Sequence, residues 1–285
     1  MRAMVVWALA LLVTVRAHGA EAPAKKAVGL TDAEKESFLA EGVVVHTRAV
    51  GSGVTGSVRA TLRKGGLEHD AHIQSIDLSK PLNSLGAGTT EIDFRDTYRN
   101  NIAAYRLDRR LGLGMIPVTV ERDFERKKSA FTWWVDDVVM DELQRHDKKI
   151  EAPDPLAWNR QMYAVRIFDQ LIYNFDRNLG NLLVDKSWNL WMIDHTRAFK
   201  IFKDLKDVAN LGTHCPRSLL AALRELDRPS LIRLSRRLLT EGQVTALLAR
   251  RDLIVKYYDA KIASLGEKEV LYDLPMRVMD ASAPH

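Results

Sequence analysis

Two short segments carry oxygen-bearing side chains at spacings that suit phosphoryl transfer. Asp176-Arg177-Asn178-Leu179-Gly180-Asn181 follows directly on a long segment with one apolar face, and Ile193-Asp194-His195-Thr196 places Asp194 thirteen residues after Asn181. Transfer of a phosphoryl group needs a carboxylate beside the attacking group. It also needs an amide and a second carboxylate that hold a divalent metal against the nucleotide phosphates. An Asp and an Asn five residues apart on one loop, with another Asp closing the next hairpin, can bring these oxygens together. Magnesium takes oxygen ligands and draws one or two carboxylates from protein, so the set is sufficient. The plain structural alternative is that Asp176 and Asn181 cap turns and Asp194 ends a strand.

A second candidate is the turn Gly51-Ser52-Gly53-Val54-Thr55-Gly56-Ser57. Gly51, Gly53 and Gly56 let backbone N–H groups drape over phosphates, and Thr55 and Ser57 add hydroxyls. A flexible hairpin turn would use the same residues. His46, His69, His72, His146, His195 and His214 show no H-E-x-x-H spacing. His72 reads as a satisfied polar side chain on a strand, whereas His195 stands beside the candidate ligand Asp194. Trp133 and Trp134 either line a base pocket or pack in the core. Arg122 to Lys128 reads as a solvated hairpin turn. The absence of a Gly-x-Ser-x-Gly elbow and of a Walker A lysine argues against those hydrolase and P-loop chemistries.

These residues must be positioned by the elements between them. Thr31 and Glu34 have the spacing of a capping box and open a short helix. From Val43 to Asp77 the pattern is β: Val43 to Val45, then Ser57 to Arg63 with alternating Val58, Ala60 and Leu62, a Gly65-Gly66 turn, and His69 to Ile76. A helix is expected from Asp93 to Leu111, ended by Gly112. Strands are expected at Ile116 to Glu121 and Ala130 to Val139. Met162, Val165, Phe168, Ile172 and Phe175 recur at spacings of three and four, which predicts a helix over Leu156 to Phe175. A small hairpin, Leu182 to Val184 with Leu190 to Ile193, precedes a helical remainder from Pro216 to Gly266.

On these residues the chain resembles the atypical kinases related to phosphatidylinositol 3-/4-kinases and to the HipA-like and secretory-pathway kinases. Their catalytic loop runs Asp-Arg-His-x-x-Asn and their metal segment Ile-Asp-x-Gly. Asp176, Arg177, Asn181 and Asp194 match; Asn178 replaces the family's His and Thr196 its Gly. The match spans about Tyr173 to Phe199. The resemblance implies an α+β, bilobal protein-kinase-like fold, with a β-rich N-lobe over about 40–139 and a mainly helical C-lobe over about 155–270. It implies Asp176 and Arg177 as catalytic-loop residues, Asn181 and Asp194 as metal ligands, and ATP or another nucleotide with Mg²⁺ as cofactors.

Two departures bear on activity. A kinase third strand carries Val-Ala-Ile-Lys, whose Lys holds the phosphates and pairs with a Glu on the next helix. Here the comparable strand reads Ala71-His72-Ile73-Gln74, and the helix position is Asn101. Gln74 and Asn101 would form a neutral amide pair. Phosphate-neutralising charge would then come from Arg59, Arg63, Lys64 or Lys80, or be missing.

Composition sets the outer limits. The chain has 285 residues, 46% hydrophobic and 28% charged, which excludes disordered, collagenous and polytopic membrane classes. One cysteine, Cys215, excludes an internal disulfide framework. A net charge of +5 permits anionic ligands without requiring nucleic acid. Arg2, an apolar run from Met4 to Val15 and the small residues after it read as a signal peptide over residues 1–20. Residues 21–39 read as a linker and short helix, and 40–285 as the kinase-like domain. The expectation is therefore an exported protein, in periplasm, secretory lumen or outside the cell, with no transmembrane span once the leader is cleaved. It would bind a nucleotide and transfer a phosphoryl group to a protein, lipid or small-molecule acceptor. A silent pseudokinase or scaffold is the alternative, and a non-nucleotide envelope protein survives if the glycine turn and the polar residues lie far apart.

Overall fold

Thr31 starts the first helix as its neighbours dictate. Its hydroxyl accepts from the Glu34 N–H at 3.2 Å, and the Glu34 carboxylate accepts from the Thr31 N–H at 2.8 Å. The computed structural model describes residues 25–26, 29–50, 57–86, 89–174 and 177–275. The signal peptide expected over residues 1–20 lies outside them. β1 (Lys25–Lys26) precedes α1 (Asp32–Glu41), and β2 (Val43–Ala49), β3 (Val58–Lys64) and β4 (Leu67–Gln74) form the expected antiparallel run. β5 (Asp77–Gly86) and β6 (Thr89–Thr97) pair as a hairpin before α2 (Tyr98–Arg110). β7 (Thr119–Phe124) and β8 (Lys127–Trp133) complete a sheet of five antiparallel strands in the order β2-β3-β4-β8-β7, with β1 added in parallel to β4.

Period-two alternation gives this sheet two different faces. Ala60, Leu62, Ala71, Ile73 and Phe131 are buried and belong to the core against which α1 and α2 pack. Arg59, His72 and Thr132 are direct register partners across three strands, so they share the opposite face with Gln74. That second face is polar, and it becomes a wall of the site.

The helix expected from Asp93 begins instead at Tyr98. Residues 89–97 are rich in β-branched and aromatic types and pair with β5, and the Thr97 hydroxyl accepts from the Arg99 N–H as N-cap. The single strand expected over Ala130 to Val139 is also divided. β8 stops at Trp133, Asp137 takes φ 56°, and β9 (Val138–Asp141) pairs with another sheet. The Arg122 to Lys128 turn is confined to Glu125-Arg126, both with positive φ. Arg122 itself donates to the Leu39 and Gly42 carbonyls and so ties down the end of α1.

After α3 (Glu142–Asp147) comes α4 (Pro155–Ile172), whose Val165, Phe168 and Ile172 are buried as the spacing predicts, together with Ala164 and Leu171, while Met162 is half-buried and Phe175 lies outside the described residues. It ends because Tyr173 adopts the left-handed region at φ 53°. β10 (Leu182–Asp185) and β11 (Leu190–Met192) form the expected hairpin, with β9 on the far side of β10. β12 (Cys215–Pro216), α5 (Arg217–Glu225), α6 (Arg228–Leu234), α7 (Glu241–Leu265), α8 (Glu267–Val270) and β13 (Leu271–Tyr272) follow. α7 packs against α4, and its Arg250, 0% exposed, donates to the Leu171, Lys200 and Phe202 carbonyls. Among the described residues no helix is long and apolar enough to cross a membrane. Cys215 is buried, and burial raises its thiol pKa far above the ordinary value.

Candidate functional site

A cavity of about 280 Å³ opens between the polar face of the five-stranded sheet and the β10–β11 hairpin. Ser57, His72, Gln74, Thr132 and Trp134 line it from the sheet side, Asn101 from α2, and Asn181, Met192, Ile193 and Asp194 from the hairpin side. Five residues singled out from sequence, Ser57, Gln74, Asn101, Asn181 and Asp194, therefore meet in one space. Gly51, Gly53, Thr55, Gly56 and Asp176 lie outside the described residues. On either side of residues 51–56 the Val50 N–H donates to the Ser57 carbonyl at 3.1 Å, and both of those residues line the cavity.

The amide pair expected from sequence is formed. Asn101 Nδ2 donates to Gln74 Oε1 at 2.6 Å, and Asn101 Oδ1 accepts from the His195 N–H at 2.8 Å. Asn100, beside it, donates to the Thr196 and Ala198 carbonyls at 2.8 and 2.9 Å. The Thr97 N–H donates to the Thr196 carbonyl at 3.0 Å. The first turn of α2 thus holds both β4 and the segment that carries Asp194. Sequence reading found Asn101 and missed Asn100, whose partners are backbone carbonyls nearly a hundred residues away.

Arg177 does not line the cavity. Its guanidinium grips the Asp169 carboxylate with two bonds of 3.0 Å, donates to the Asn181 and Ile193 carbonyls at 3.2 and 2.7 Å, and donates to His195 Nε2 at 2.9 Å. It therefore positions its own loop and the segment carrying Asp194 relative to each other. Asp169 was missed because, on an amphipathic helix, it reads as an ordinary polar residue. His195 is 1% exposed, and burial first, then the Arg177 charge, hold its pKa well below the ordinary value. Its Nε2 already accepts from Arg177, so the ring serves packing and position.

Asp194 takes φ 55°, uncommon outside glycine and frequent at functional sites. It is exposed, and Oδ1 accepts from the Thr196 hydroxyl at 3.2 Å. Among the described residues the Asn181 side-chain amide makes no hydrogen bond, whereas its backbone is fixed by Asn178, Arg177 and Ile193. Of the tryptophans, Trp134 faces the cavity with the Arg59 guanidinium 4.0 Å above its ring. Trp133 lines it too, its ring stacked on His69 at 3.7 Å and edge-on to Phe38.

The candidate cations are engaged elsewhere. Arg59 pairs with Asp70 at 2.5 Å, Arg63 with Glu68 at 3.1 Å and Lys64 with Glu41 at 2.9 Å. None of these, nor Lys80, lines the cavity.

No protein-family model matches the chain, and no curated protein matches it in sequence. Solved structures do match. Hydra Fam20, determined with sugar, aligns at a TM-score of 0.63 and 16% identity over 84% of this chain and 91% of its own. The Golgi casein kinase aligns at 0.60 and 15% identity, over 86% and 78%. The same kinase with Mn/ADP bound aligns at 0.61 and 15% identity, over 86% and 80%. The chain has an atypical kinase-like, mixed α/β fold, and the α+β expectation holds. The secretory-pathway part of the resemblance is reproduced in three dimensions. The phosphatidylinositol-kinase and HipA-like parts rest on the motif alone.

Proposed function

We propose that the cavity binds a nucleotide together with a divalent metal, and that this kinase-like protein transfers the terminal phosphoryl group to a hydroxyl acceptor. The observation that carries the reading is the convergence of Asn181, Asp194, Ser57 and the Gln74–Asn101 pair on one cavity. The donor set fits Mg²⁺ or Mn²⁺: a carboxylate and a side-chain amide oxygen are hard ligands, and both keep free lone pairs. Asn181 and Asp194 would hold the metal, which when bound neutralises phosphate charge as it builds up.

In the transfer step the acceptor oxygen forms a bond to the terminal phosphorus. The bond to the bridging oxygen breaks, and the nucleoside diphosphate leaves with the electron pair. Asp176 orients the acceptor and takes its proton. Arg177, through Asp169, Asn181 and Ile193, keeps the loop and the metal segment in register. The signal-peptide pattern of residues 1–20 supports export, and the acceptor is a hydroxyl-bearing protein, lipid or small molecule.

One observation favours a second reading. The neutral Gln74–Asn101 pair stands where an active kinase places a Lys–Glu ion pair, which suits a binding-only pseudokinase. Two measurements separate the readings. Melting temperature should rise with ATP plus Mg²⁺ or Mn²⁺, and Asp194→Asn should abolish the rise; at a ligand concentration of 100 Kd the stabilisation is about 2.7 kcal/mol. No rise in the parent protein ends the nucleotide reading. γ-Labelled ATP should then give transfer that Asp176→Ala removes, whereas binding without transfer selects the pseudokinase.

A further inference from the structure

Strand β4 turns two side chains toward the cavity, and they are not equivalent. Gln74 is 3% exposed, and its oxygen is committed to Asn101. His72, two residues earlier on the same face, lines the cavity, and its ring makes no hydrogen bond to any described residue. A polar ring in such a place ordinarily finds a partner. The charged groups around it are Asp194 across the cavity, Arg59 as its register partner on β3, and Asp70 two residues back on β4; Thr132, its partner on β8, is neutral. Arg59 is already spent on Asp70 and on the Trp134 ring.

The charge of the whole lining is equally one-sided. Among the described residues none that lines the cavity is Lys or Arg, and Asp194 is its one carboxylate. Positions 51–56 and 175–176, adjoining the lining residues in sequence, add no Lys or Arg and one further Asp. A polyphosphate entering such a space meets negative charge without a protein cation to offset it.

We propose that His72, not Gln74, is the residue of β4 that meets the ligand's phosphates, as a neutral hydrogen-bond donor, and that the divalent cation alone neutralises them. The proposal rests on the nucleotide reading above and deepens it. It makes nucleotide binding strictly metal-dependent, unlike a site where a strand lysine contributes a fixed positive charge.

The test is anisotropy titration of the full chain with mant-ADP, in Mg²⁺ and in EDTA. The parent should bind in Mg²⁺ and at least a hundredfold more weakly in EDTA. His72→Ala should weaken binding in Mg²⁺ five- to tenfold, His72→Gln, which keeps a donor, less than threefold, and His72→Lys should bind measurably in EDTA. Unchanged melting temperatures of the Gln and Lys variants separate ligand contact from folding. Equal parent affinity in both buffers, or parent-like binding by His72→Ala, overturns the proposal. A parent that binds in neither buffer overturns the nucleotide reading itself.

Discussion

On the sheet side of the cavity Gln74 and Asn101 meet as two neutral amides, while on the hairpin side Arg177 and Asp169 meet as an ion pair, each side chain 11% exposed. Both pairs do the same geometric work. Each fastens the Ile193–His195 segment to a helix, Asn101 from α2 through the His195 N–H and Arg177 through the Ile193 carbonyl and the His195 ring. They differ in what failure costs. Removing one partner of a buried ion pair strands a charge, whereas removing one amide strands dipoles. They do not differ in what they offer a ligand: neither neutral amides nor a self-compensated ion pair adds net charge to the cavity. Position has been retained on both sides, and charge supply on neither.

The largest effect should come from the charged side. Asp169→Ala leaves Arg177 buried without its carboxylate and should cost about 3–5 kcal/mol in urea unfolding. Asp169→Asn should cost less. If Asp169→Ala proves nearly neutral, the hairpin side is not built on this pair and the contrast between the two sides fails.

Next comes the neutral side. Asn101→Ala leaves Gln74 Oε1 and the His195 N–H without partners, each worth about 1–3 kcal/mol when buried and unsatisfied. The expected loss is roughly 3 kcal/mol by the same measurement, together with faster amide hydrogen exchange at His195. A loss without the exchange change would mean that Asn101 packs but does not fasten.

A smaller effect turns one side into the other. Gln74→Lys and Asn101→Glu should each destabilise, because each leaves one charge in a nearly buried place. Together they should recover at least about 1 kcal/mol of the sum, read as a double-mutant cycle. Strict additivity would show that the geometry accepts only amides.

The smallest effect is in acid. Asp185, at the β10–β11 turn, is pushed up by burial but pulled further down by hydrogen bonds from Trp191, Asn189 and Ser187, so its pKa lies below the ordinary value. A carboxylate depressed in the folded state adds stability above the unfolded pKa, and that stability is lost as pH falls through the folded one. Unfolding midpoints of the parent should therefore drop as pH falls below about 4, and Asp185→Asn should flatten that slope. The Gln74–Asn101 pair itself contains no group that titrates there. A slope unchanged in Asp185→Asn would place the acid sensitivity elsewhere.

Much of this arrangement was legible in the residues. The Thr31–Glu34 capping box, the α4 stripe and the β10–β11 hairpin are local patterns, and local patterns survive folding. Even the Gln74–Asn101 pair was readable, because one strand and the next helix fix which positions meet. The β5–β6 hairpin was missed where polar residues and threonines gave no clean alternation, so a helix expected from Asp93 absorbed part of it. His72 was passed over because a strand histidine gives no sign of which face becomes a cavity wall.

By itself, then, the sequence determined the capped first helix, the α4 stripe and the β10–β11 hairpin, the kinase-like spacing of Asp176, Asn181 and Asp194, and the absence of Lys and Glu at the expected pair. Only the tertiary structure decided that Arg177 turns away from the cavity to Asp169, that Asn100 clamps Thr196 and Ala198, and that Gln74 is committed to Asn101 while the His72 ring is left unspent at the cavity wall. The physical reason is range. Caps, turns and periodic faces arise within a few residues of chain, but which polar groups satisfy one another in the interior depends on partners brought from 8 to nearly 100 residues away.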